Sequence, residues 1–201
     1  MNGKEFYKLF LKKIQESTPM ELYTGSYSRF TKHVTSIINS IIEKAGYISQ
    51  NEYYRVDVVG WVSYSDKHKS EGDSVGLRPH IWDLEIVVEH ENSIMDWTDE
   101  LCKLIHIRCP LKVIISYNHY DIRFNDENPK SDRRKLDCVL SWMKQVKAFS
   151  KDMNEEYLII IGNAMGKADK RSAYKSYDFR GYSYKYSDDR FMELDIEGSQ
   201  L

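Results

Sequence analysis

Tyr53-Tyr-Arg-Val-Asp-Val-Val-Gly-Trp-Val-Ser-Tyr64, followed after a polar interval by His80-Ile-Trp-Asp-Leu-Glu-Ile-Val-Val-Glu89, is the stretch on which the fold turns. Both segments are crowded with β-branched and aromatic side chains and predict strands over residues 53–64 and 80–89. Between them, Ser65 to Pro79 is rich in Lys, Asp, Ser and Gly and reads as a long polar hairpin loop. The pair is therefore expected to be antiparallel. Val56, Val58 and Val59 on one strand, with Ile86, Val87 and Val88 on the other, put apolar groups on both faces, so layers above and below the strands are expected.

The flanking sequence supplies those layers. Phe6, Leu9, Phe10, Lys13 and Ile14 recur at helical spacing over residues 4–16, and Pro19 closes that helix. From Tyr27 to Ala45, Phe30, Val34, Ile37, Ile38, Ile41 and Ile42 recur at three and four, with Gly46 as the stop. Beyond residue 89 the pattern predicts a helix over about 95–107, a strand over Leu111–Tyr117, an amphipathic helix running through Leu136, Met143, Val146 and Phe149, a strand over 157–161 and one final strand within 177–194. Strands alternating with helices give an α/β fold, a mixed β-sheet flanked by helices in three layers. The whole chain of 201 residues reads as one domain, with a core at about 27–162 and a C-terminal strand with a basic and aromatic segment at 163–201.

Composition narrows the function classes. A net charge of -2 excludes a chain that coats nucleic acid by overall charge, though not one with a local basic groove. No run approaches the roughly 18 apolar residues of a membrane span, and Met1-Asn2-Gly3-Lys4-Glu5 opens no signal-peptide core, so a cytoplasmic protein that does not enter membranes is expected. Cys102, Cys109 and Cys138 are odd in number and lack CxxC spacing, which argues for buried free thiols rather than disulfides or a zinc ribbon. The six histidines show no HExxH spacing, and Gly162-Asn-Ala-Met-Gly166-Lys167 is a residue short of a phosphate loop and lacks its Ser or Thr.

The chemistry concentrates on the central strands. Asp57 lies in the first, and Glu89-His90-Glu91 ends the second. Residues two apart in a strand face the same side about 6–7 Å apart, so Glu89 and Glu91 are expected to aim at one point, with Asp57 joining from the neighbouring strand. Three carboxylates form an oxygen-rich nest suited to a hard cation such as Mg²⁺. Asp83 and Glu85 share the parity of Glu89 and remain alternative ligands.

Helix, Arg55-Val-Asp57, Leu84-Glu-Ile-Val-Val-Glu89-His-Glu91, then helix and strand, resembles the PD-(D/E)XK nuclease superfamily over roughly residues 27–117. The resemblance implies a restriction-endonuclease-like three-layer core and a hydrolase cutting phosphodiester bonds with Mg²⁺ or Mn²⁺, as an endonuclease on DNA ahead of RNA. Asp57 matches the first acidic position and Glu89 the acidic member of the second motif. Glu91 stands where lysine is expected, as ligand or base, and the motif's proline is absent. By the same resemblance Glu43, on the preceding helix, is a further candidate metal ligand, and Lys103, on the following helix, a substitute for the motif lysine. Many nucleases of this type are homodimers, although no dimer signature is visible here. Lys170, Arg171, Lys175 and Arg180, interleaved with tyrosines, form a candidate nucleic-acid surface, to which Arg133, Arg134 and Lys135 can add. The alternative reading is a non-catalytic module of the same fold that binds nucleic acid or protein.

Overall fold

The computed structural model describes residues 1–23, 25–149, 154–164 and 178–195. Seven strands form one open sheet in sequential order: β1 (Ile48–Tyr53), β2 (Val56–Ser63), β3 (Trp82–His90), β4 (Leu111–Asn118), β5 (Glu156–Asn163), β6 (Arg180–Lys185) and β7 (Arg190–Glu193). The strands β1, β2 and β3 make an antiparallel meander, β3, β4 and β5 run parallel, and β6 and β7 return antiparallel. Both parallel steps are crossovers containing helices, α5 (Trp97–Ile105) before β4 and α7 (Asp132–Met143) before β5.

Helices α1 (Gly3–Ser17) and α3 (Tyr27–Lys44) cover one face of the sheet. Phe6, Phe10, Ile14, Phe30, Ile38 and Ile41 pack there with Val58, Val88, Val113 and Ile160. On the other face, Leu101, Leu104, Val139 and Leu140 of α5 and α7 meet Val59, Val87, Ile114 and Ile159. The α/β architecture with a mixed sheet between helical layers is therefore as the sequence indicates, and β4 is buried throughout because both faces are covered. Gly60 permits a close approach: a Cβ there would stand 2.6 Å from Cγ2 of Ile42 on α3 and 2.5 Å from that of Ile86. Asn2 caps α1, its side chain accepting from the Glu5 amide while the Glu5 carboxylate accepts from the Asn2 amide.

Several local expectations give way. The strand expected over 53–64 starts at Val56; Tyr53 ends a preceding strand, β1, that was not expected, and the two are joined by a two-residue turn in which Tyr54 and Arg55 both have positive φ, 49° and 65°. Such a hairpin turn normally carries Asn or Gly, so the unbroken aromatic and β-branched run concealed it. The interval 65–79 contains a 3₁₀ turn (Ser65–His68) and a short helix α4 (Lys69–Ser74). Two further short helices, α2 (Met20–Tyr23) and α6 (Tyr120–Arg123), carry too few residues for a periodicity to register. The α-helix α7 ends at Met143 rather than continuing to Phe149, and the C-terminal region forms the hairpin β6–β7 rather than one strand. Cys109 is buried, but Cys102 and Cys138 are exposed, on the outer faces of α5 and α7. Among the described residues no helix is long and apolar enough to cross a membrane.

Candidate functional site

Asp57 is the second residue of β2 and Glu89 the last but one of β3. The β2–β3 ladder ends its regular pairing at Val58 and Val88, and just beyond it side chains take over from backbone partners. Asp57 Oδ2 accepts from the His90 amide at 2.8 Å, and Glu89 Oε2 accepts from the Asp57 amide at 3.2 Å. These two bonds orient both carboxylates on the face that α5 covers, at the C-terminal end of the parallel strands, where open α/β sheets carry their ligands. His90, of opposite parity, lies on the α3 side, where its Nε2 is 2.7 Å from the Tyr117 hydroxyl. Burial lowers its pKa to about 3, which leaves the ring neutral.

The third member comes from α5. Lys103 Nζ donates to Glu89 Oε1 at 2.5 Å and to the Arg55 carbonyl at 2.6 Å, and it is also ion-paired with Glu100. Glu89 is 1% exposed, whereas Asp57 and Lys103 reach solvent. Burial pushes the Glu89 carboxyl up to about 8; the Lys103 hydrogen bond opposes this, and the negative charges of Asp57 and Glu100 reinforce it. Burial also works against the charge on Lys103, but Glu100 and Glu89 outweigh it and hold the ammonium's pKa above its ordinary value. The site is thus short of positive charge, because one ammonium stands among three carboxyl groups.

The other expected ligands lie elsewhere. Glu91 falls after the end of β3; its amide donates to the Ile115 carbonyl and its Oε1 accepts from the Ser93 amide at 2.6 Å, so it closes the following loop instead of facing Asp57. Glu43 is exposed in the last turn of α3, a helix that packs on the opposite face of the sheet. Asp83 and Glu85 lie toward the other end of β3, lining a cavity with Arg108, Cys109 and Glu155, and a register irregularity opposite Gly60 and Trp61 breaks their parity with Glu89. Among the described residues no group of three or more His, Cys, Asp and Glu is placed to hold a metal ion, so the expected three-carboxylate nest is a two-carboxylate site with a lysine. Such a pair still fits Mg²⁺ or Mn²⁺. Mg²⁺ commonly takes one or two protein carboxylates and fills its octahedron with water and substrate phosphate, and a buried carboxyl with a raised pKa is a group that a dication would stabilise in its charged form.

Of the basic segment, Lys170, Arg171 and Lys175 lie outside the described residues. Arg180 pairs with Glu193 at 3.1 Å and stacks its guanidinium 4.1 Å from the centre of the Phe124 ring, on the wall of a cavity of about 490 Å³ that Arg133 and Arg190 also line.

Beneath that cavity is a buried polar network absent from the sequence expectations. Arg123 is fully buried; it donates to Asp132 at 2.8 Å, to Asn163 Oδ1 at 2.8 Å and to the carbonyls of Ile161 and Asp178. Asn118, at the end of β4, donates to Asp132 Oδ1 and accepts from Lys135, whose Nζ also reaches the Ile94 carbonyl. The available signal was that two apolar strands each end in asparagine, at Asn118 and Asn163. Comparisons with protein-family models, with curated proteins and with solved structures find no match for the chain.

Proposed function

We propose that this chain is a divalent-cation-dependent nuclease, hydrolysing phosphodiester bonds in DNA ahead of RNA, with Asp57 and Glu89 as cation ligands and Lys103 as the cationic partner. The observation that carries the reading is the convergence of these three side chains, from β2, β3 and α5, at one end of the sheet. It is supported by the motif resemblance, in which the two acids lie on hairpin-paired strands and the lysine can come from the following helix. Mg²⁺ or Mn²⁺ held there would neutralise phosphodiester charge and acidify a bound water.

The chain's own contribution is positional. The amides of Asp57 and His90 fix the carboxylates, and the packing of α5 shields Glu89 from water. Lys103 brings a permanent positive charge to the site, where it can orient a water or a phosphate oxygen.

The test is cleavage of plasmid and single-stranded DNA with Mg²⁺ or Mn²⁺, against EDTA and an Asp57→Ala/Glu89→Ala double variant. Cleavage lost in both controls supports the reading. A folded protein that neither cuts nor binds the cation overturns it. In that case nucleic-acid binding indifferent to chelator would leave a binding module, a role compatible with a Glu89 already hydrogen-bonded by Lys103 and the Asp57 amide.

A further inference from the structure

Where α5 stops covering the sheet, the face shared with Asp57 and Glu89 continues as a belt of aromatic rings. Tyr54 meets Tyr53 at 4.6 Å between ring centres, Tyr53 meets Trp82 at 5.9 Å, and Trp82 meets Trp61 at 5.8 Å, all edge to face. Tyr54 is 81% exposed and Trp82 38%. Large rings left in water on this scale mark a surface that something covers.

Two observations point to the occupant. The cleft among Gln50, Tyr53, Trp61 and Trp82 holds only about 30 Å³, so a partner lies on the rings instead of inserting between them. The belt is also continuous with the candidate site. The Tyr54–Arg55 turn, held at two positive φ values, is tied through the Arg55 carbonyl to Lys103 Nζ, which bonds Glu89. The exposed Arg55 at the turn, with rings beyond it, is the complement of a phosphate followed by unpaired bases.

We propose that the belt of Tyr53, Tyr54, Trp61 and Trp82 is a stacking platform for unpaired nucleobases, and that the substrate is single-stranded DNA, or a single-stranded flank, with its backbone passing Arg55 toward Asp57 and Glu89. The choice of a nucleic acid as occupant rests on the nuclease reading. A duplex keeps its base faces stacked inside and has none to offer to the rings.

The experiment is fluorescence anisotropy of a labelled oligo(dT) of about 15 nucleotides with the full chain in EDTA, alongside a blunt duplex of the same length. The expected result is that Tyr54→Ala and Trp82→Ala each weaken oligo(dT) binding about tenfold while duplex binding is unchanged. Tyr54, being almost wholly exposed, serves as the variant least able to disturb folding. Unchanged affinity in both variants overturns the platform, and so does a wild-type dimer in sedimentation that either variant dissociates, since the belt would then be covered by a second copy. Cleavage in Mg²⁺ with binding indifferent to Tyr54 and Trp82 leaves the nuclease and removes the platform. Tyr54-dependent binding without cleavage does the reverse.

Discussion

Lys103 reaches across from α5 to place its ammonium 2.5 Å from Oε1 of Glu89, a carboxyl that the sheet and helix otherwise close off from water. The same nitrogen anchors the β1–β2 turn at the Arg55 carbonyl, so one side chain joins the helix, the turn and the candidate site. Lys103→Met removes the ammonium and leaves the carboxyl buried. With Lys103 itself partly exposed, the expected loss is on the order of 1–3 kcal/mol of stability. Urea denaturation of Lys103→Met, Glu89→Gln and the double variant checks this: the double variant should be more stable than Lys103→Met alone, and additive losses would show that the pair is not coupled.

The raised pKa of Glu89 gives stability a pH dependence of defined sign. The carboxyl titrates at about 8 in the folded chain against its ordinary 4.5, so between these values the folded state holds a proton that the unfolded chain has released. Stability from this group is fully present below pH 4.5, falls as pH rises and is lost above about 8, with a slope approaching about 1.4 kcal/mol per pH unit. Glu89→Gln should flatten that dependence. Denaturation midpoints of both proteins at pH 5.5 and 8.5 measure it, and parallel curves would contradict the assignment.

Arg123 has no solvent to fall back on. Its removal takes the guanidinium's charge and hydrogen bonds from Asp132, Asn163 and two carbonyls in the interior, so Arg123→Met is expected to cost on the order of 3–5 kcal/mol. The loss should appear in the thermal midpoint even in a chelator, because the network lies apart from the Asp57–Glu89 pair. A variant as stable as the parent would mean that water or other groups replace the guanidinium.

The cysteines can be counted in solution. Burial pushes the Cys109 thiol up to about 12 and keeps reagents out, whereas Cys102 and Cys138 are exposed. A disulfide reagent at pH 8 should titrate two thiols per native chain rapidly and the third only after denaturation. Three fast thiols would show that the N-terminal end of β4, where Cys109 bonds the Leu111 carbonyl, opens readily.

The α/β class and its covered sheet were legible in the sequence because they depend on local periodicity. The isoleucines of α3 recur at three and four, and the runs Ile86–Val88 and Val113–Ile115 are apolar on both parities, which only a sheet covered on both faces accommodates. Asp57 and Glu89 were singled out by their places on the two strands, and Lys103 by the family resemblance. What brings them together is tertiary: the register that sets the Asp57 amide against Glu89, and the crossover that lays α5 over the end of β3. Glu91 has the right spacing for the cluster, but the strand ends one residue before it and a loop hydrogen bond takes its carboxylate. The β1–β2 turn was hidden because its conformation is imposed on Tyr54 and Arg55 by strand pairing and by Lys103, against their own backbone preference. The Arg123 network was hidden for the related reason that the guanidinium's acceptors are spread from Asp132 to Asp178, and a buried guanidinium is tolerated only when the folded chain brings such acceptors to it.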